Sequence, residues 1–146
     1  MKKIWISRIM IIIWTSFIFF NSLQIGSVSA GASGLFTQWI YNFLIKLGLS
    51  INIVDLSYIV RKLAHISEFF ILSLLAVIHE WQRLLTKKRR FLHVIIFCLL
   101  IAVIDEVIQT FVPGRAGLLV DVLIDMIGVG LASILTIILP IQKTTF

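Results

Sequence analysis

Apolar positions along this chain fall into four long runs separated by short polar punctuation. The first, from Ile4 to about Leu23, follows Met1-Lys2-Lys3 and is long enough to cross a hydrocarbon layer at about 1.5 Å per residue. The second, residues 57–79, opens after Asp55 and Ser57, either of which can cap a helix. The third covers residues 91–112. Pro113-Gly114 turns it into the fourth, residues 118–139. Between the first and second runs lies a shorter segment, residues 35–48, with a different pattern. It places Leu35, Phe36, Trp39, Ile40, Phe43, Leu44 and Leu47 on one helical face, and Thr37, Gln38, Asn42 and Lys46 on the other. That segment is too short to span, and it predicts a helix lying at the interface or lidding the bundle. The pattern therefore predicts an all-α, polytopic membrane protein. Four transmembrane helices carry one short amphipathic interfacial helix between the first and the second, all within one domain, 1–146.

Residues 26–34, rich in Ser, Gly and Ala, read as a linker. Val28-Ser29-Ala30 before Gly31 has the small residues of a signal-peptidase site, but the preceding apolar run exceeds a usual signal core, and retention is the expectation.

Composition agrees with a membrane protein. Hydrophobic residues make up 60% of the 146 and charged residues 14%, against roughly 25% charged in soluble domains. The net charge of +6 comes from basic residues flanking apolar runs, above all Arg83 and Lys87 to Arg90. This pattern orients a chain against an anionic membrane and gives no nucleic-acid groove. It predicts Lys2, Lys3, the central basic loop and Lys143 on the cytoplasmic side, with both termini inside. Cys98, the single cysteine, falls in an apolar run, which excludes disulfides and thiolate metal sites. Trp5, Trp14 and Trp81 are expected at interface or lipid contacts, and His79 and His93 beside the basic loop.

Under that topology the start of the second span, the end of the third and the start of the fourth share one level. The ionisable residues of the spans gather there. Arg61, His65 and Glu68 recur at i, i+4 and i+7, with Lys62 about 100° away and free to reach the headgroups. Asp105 and Gln109 share a face with Ala102 and Cys98, and Glu106 stands one step round. Asp121, Asp125, Gly128 and Ala132 form a stripe whose small members allow close helix approach. The short PGRAG loop hangs Arg115 over the same level. Arg61, Lys62, His65, Glu68, Asp105, Glu106, Gln109, Arg115, Asp121 and Asp125 are thus the candidate binding residues. With every acid ionised and His65 neutral, the layer is two positive charges short of balance. Protonation, a charged His65 or a bound cation must supply them.

These residues also carry a resemblance. FNSLQ at the end of the first span, RKLAHISEFFIL in the second, and DEVIQTFVPGRAGLLVDVLIDMIGVGLA across the last two resemble the VanZ-like membrane protein family, named for a protein associated with teicoplanin resistance. The resemblance marks Arg61, Lys62, His65, Glu68, Glu106, Gln109, Arg115, Asp121 and Gly128, and implies a bacterial cytoplasmic membrane. Asn21 stands where many members have serine, Ile108 where one branch has histidine, and Asp125 where asparagine is frequent.

Four functional readings follow. A structural ion-pair layer would fix helix register. A polar outer-leaflet site would bind an anionic lipid, a lipid-linked cell-wall intermediate or a lipoglycopeptide, with Arg115, Arg61 and Lys62 on phosphate, and would modulate glycopeptide susceptibility or envelope lipid chemistry. An intramembrane enzyme acting on a lipid phosphate would use His65, Glu68, Glu106 or Asp121 as acid, base or metal ligand. The HxxE pair alone assigns no metal set, and no cofactor is named by the sequence. A proton- or cation-coupled carrier is the fourth, disfavoured by four spans without an internal repeat unless the chain oligomerises. The second is the expected role. Oligomeric state is not legible.

Overall fold

The structure, a computed structural model, describes residues 2–83 and 85–138. Within these the chain is helical: α1 Lys2–Ser22, α2 Gly26–Lys46, α3 Ile53–Trp81, α4 Lys87–Thr110, α5 Leu119–Ser133 and the single turn α6 Leu135–Ile138. Three helices are long and apolar enough to cross a membrane, over Lys3–Ser22, Ile53–Trp81 and Lys87–Thr110. Helix α3 is the axis of the fold. It touches every other helix and packs most extensively on α5. The core between α1, α3, α4 and α5 is built from Ile18, Phe69, Leu72, Ala76, Val94, Cys98, Ala102 and Val129.

Three expected boundaries move. The stretch read as a linker, residues 26–34, belongs to α2, which begins at Gly26 and runs unbroken into the amphipathic segment. Helix α3 starts at Ile53, capped by Asn52, whose Oδ1 accepts the Val54 N–H at 2.9 Å. A cap two residues before the second helical position removes the need for Asp55 or Ser57 in that role.

The segment expected to form a fourth span is not one continuous helix. Helix α5 has 15 residues, a rise of about 22 Å, and the helix breaks at Ile134 before α6. Ser133 Oγ donates back to the Val129 carbonyl at 2.7 Å, and Ser73 Oγ reaches the same carbonyl from α3 at 3.2 Å. Back-bonding of this kind competes with the helix ladder and bends it. Leu139, Pro140 and the tail with Lys143 lie outside the described residues.

The amphipathic segment of α2 turns its aromatic side away from the bundle. Phe36, Trp39 and Phe43 are exposed and form a ladder, with neighbouring ring centroids 6.5 Å apart. Thr37, from the polar face, is the residue that becomes buried. Trp14 also departs from expectation. Rather than serving as a free interface contact, it ties α1 to α3, its Nε1 donating to the Glu68 carbonyl at 2.9 Å.

Gly114 takes a positive φ of 76° in the turn between α4 and α5, a conformation that suits glycine. Gly128 is required for a different reason. A Cβ there would lie 2.1 Å from the Ile66 carbonyl oxygen and 3.0 Å from Phe70 N. The backbones of α3 and α5 are in direct contact at this point, just below the polar layer.

Candidate functional site

The polar residues of α1, α3, α4 and α5 do meet at one end of the bundle. Asp105, Glu106 and Gln109 on α4 and Asp125 on α5 are buried, and Lys62, His65, Glu68 and Asp121 are partly buried. Ionisable groups in such a setting are costly and are kept close to partners.

Those partners were only partly foreseeable. Lys62 forms an ion pair with Asp121 across the α3–α5 contact. It therefore points into the layer and not outward toward headgroups, its ammonium also lying 5.1 Å from the Tyr58 ring centroid. Arg61, placed by its spacing on the face of His65 and Glu68, is exposed. It lines a cavity of about 510 Å³ with Thr37, Gln38, Ser57 and Tyr58 between α2 and α3. His65 faces α5, Nδ1 lying 3.7 Å from Asp125 Oδ1. Glu68 faces α1 instead and accepts from Asn21 Nδ2 at 2.8 Å. The HxxE pair thus splits between two neighbours and does not converge on one ligand.

Two residues at the end of α1 belong to the site and were not assigned to it from the sequence. Asn21 binds Glu68 by its amide, and its backbone carbonyl accepts from Arg115 Nη2 at 3.0 Å. Ser22 Oγ makes a short hydrogen bond to Asp105 Oδ1. Their signal was positional: two polar side chains close an otherwise apolar span at the level of the acids.

Gln109 is the hub on α4. Its Nε2 donates to Asp105 Oδ2 at 2.9 Å and to Glu106 Oε1 at 3.2 Å. Glu106 has a structural task as well, since its Oε2 accepts the Leu118 N–H at 2.8 Å. Helix α5 has no side-chain cap of its own, so a carboxylate from α4 satisfies the backbone just before its first turn.

Arg115, in the loop after α4, is half-buried and has no carboxylate within ion-pair distance among the described residues. Burial, and then the neighbouring charge of Arg61, push its pKa below the ordinary guanidinium value.

A second polar group occupies the opposite end. Glu80 pairs with Arg83 at 2.8 Å and with His93 at 3.2 Å, and Ser7 Oγ lies 2.9 Å from His79 Nδ1. These border a mostly apolar groove of about 580 Å³ between α1, α3 and α4. Glu80, which the sequence did not single out, organises that end.

The geometry defines a helical membrane protein with a cluster of buried acids where four helices converge. A family model described as VanZ/LLP1 matches residues 8–140, and the chain belongs to that family. Searches among curated proteins and among solved structures gave no match.

Proposed function

We propose that this VanZ/LLP1 protein uses its polar layer, at the outer leaflet of a bacterial cytoplasmic membrane, to bind the phosphate-bearing headgroup of an anionic lipid or lipid-linked cell-wall intermediate. By doing so it modulates envelope lipid chemistry or susceptibility to teicoplanin-type glycopeptides. In this reading α1, α3 and α4 cross the membrane, and α5 with α6 forms a fourth, interrupted crossing. Both termini are cytoplasmic. The outward aromatic ladder of α2 rests in the interface, where aromatic rings favour the headgroup level.

One observation carries the reading. The charge of Arg61 works against that of Arg115, which Asp105, Glu68 and Glu106 favour only from beyond ion-pair range, and neither guanidinium has a carboxylate in ion-pair range among the described residues. Neighbouring guanidiniums of this kind are relieved by an anion, and phosphate matches their forked donors. The cavity beside Arg61 adds Thr37, Gln38, Ser57 and Tyr58, side chains able to hydrogen-bond sugar or peptide groups.

The test is teicoplanin susceptibility of a sensitive host expressing the intact chain, Arg61→Ala or Arg115→Ala at matched membrane levels, with lipids co-purifying in detergent identified by mass spectrometry. Protection and a co-purifying anionic lipid, both lost in the two variants, are expected. A parent that neither protects nor retains an anionic lipid refutes the proposal.

A further inference from the structure

Asp125 has no visible means of support for its charge. Its side chain is 1% exposed, and neither carboxylate oxygen has a hydrogen-bond partner among the described residues. Lys62, on the facing helix, is committed to Asp121. His65 Nδ1 faces it at 3.7 Å, too far for a hydrogen bond, and is likewise without a donor or acceptor. The fully buried Asp105, from α4, completes the set: one ligand atom from each of His65, Asp105 and Asp125 lies within 4.8 Å of the other two. Three helices therefore aim an imidazole and two carboxylates at a common point. Two of those three groups, His65 and Asp125, carry buried polar atoms with no hydrogen-bond partner among the described residues.

Asp105, unlike Asp125, is firmly held. Ser22 Oγ and Gln109 Nε2 each donate to one of its oxygens, and each oxygen retains a lone pair. Such hydrogen bonds orient a carboxylate for a metal and sharpen its affinity.

We infer that His65, Asp105 and Asp125 hold a divalent transition-metal cation of the Zn²⁺ or Mn²⁺ kind. One nitrogen with two carboxylate oxygens is a borderline donor set, unlike the all-oxygen shells that Ca²⁺ and Mg²⁺ prefer. Even if all three atoms stood at the 4.8 Å limit, each would lie about 2.8 Å from their centre. Contraction of under about 1 Å brings each to a bond length of about 2.0–2.2 Å. A dication also supplies positive charge where it is short, since Arg61 opens toward α2 and leaves Lys62 and Arg115 to face five acids. Three protein ligands leave a coordination position for water or for an oxygen of a bound headgroup. The inference does not depend on the lipid, because the ligand set excludes Arg61 and Arg115.

The experiment uses the untagged full chain in detergent, stripped with chelator and re-equilibrated with Zn²⁺ or Mn²⁺. Metal per chain is measured by mass spectrometry, affinity by calorimetry, and the site environment by Co²⁺ absorption. About one ion per chain is expected, with affinity lowered by more than about 100-fold in Asp125→Asn and His65→Gln, and by about 10–100-fold in Ser22→Ala. His65→Gln should also shift the Co²⁺ spectrum. Glu80→Gln, at the other His–carboxylate cluster, should bind as the parent does. If Asp125→Asn fails to fold by size exclusion, the partly exposed His65 position decides the matter. A stripped parent that takes up no ion overturns the inference and leaves the headgroup reading standing. So does binding unchanged in His65→Gln, or abolished by Glu80→Gln.

Discussion

Gly128→Ala adds one methyl group at the closest approach of α3 and α5, and its cost can be worked from the structure. The new Cβ would sit 2.1 Å from the Ile66 carbonyl oxygen, against about 3.4 Å for ordinary contact. The obstructing atoms are backbone and cannot rotate aside, so the helices must part by more than 1 Å. Overpacking costs about 1–3 kcal/mol, and rigid obstruction places this case at the upper end. Alanine returns about 1 kcal/mol through its better helix propensity. A net loss of about 2 kcal/mol remains, or a Tm lower by about 4–8 °C for a chain of this size. The internal control is Gly130→Ala on the same helix, where no atom of another described element lies within 4 Å of the added Cβ. That variant keeps only the propensity term and should match or exceed the parent. Thermal unfolding of both variants in one detergent, followed by tryptophan fluorescence, makes the comparison. Equal Tm values for the two alanines would refute the close contact and, with it, the registration of His65 and Lys62 against Asp125 and Asp121.

Three further outcomes follow from the site. Asp121→Asn strands the Lys62 ammonium and should cost about 1–3 kcal/mol, while Lys62→Met with Asp121→Asn should recover most of that loss, as a double-mutant cycle of unfolding would register. Glu106→Ala removes the acceptor that holds the Leu118 N–H and should lower stability by about 1 kcal/mol, seen as faster hydrogen exchange at the start of α5 and unchanged exchange at the start of α4. Ser22→Ala removes the donor to buried Asp105 and should destabilise by about 1–3 kcal/mol. Ser22→Thr, which keeps the hydroxyl, should lose less in the same melt.

The periodicity of single helices told a good deal. Long apolar runs required helices that satisfy their own backbone in lipid, and α1, α3 and α4 follow from that alone. The spacing of Asp121, Asp125, Gly128 and Ala132 marked one face of α5, and burial of Asp125, Gly128 and Ala132 agrees with it. Convergence of the acids at one end followed from alternating span direction and the short PGRAG loop.

Pairing within the layer was another matter. A 3.6-residue repeat gives the angle between two side chains on one helix, but not the rotation of that helix against its neighbours. Arg61 and Lys62 differ by about 100°, and only the packing of α3 on α5 decided that Lys62 enters the layer while Arg61 opens into the groove beside α2. Asn21 and Ser22 looked like the polar end of a span until α1 was laid against α3 and α4, where they meet Glu68 and Asp105. The contact of Ser73 with α5 arose the same way, its hydroxyl meeting the Val129 carbonyl that Ser133 also reaches, one turn before the helix breaks. Local sequence determined which segments are helical and which faces are polar. The tertiary structure decided which buried charges found partners and left Asp125 without a hydrogen bond among the described residues, since pairing depends on distances between helices that no single helix encodes.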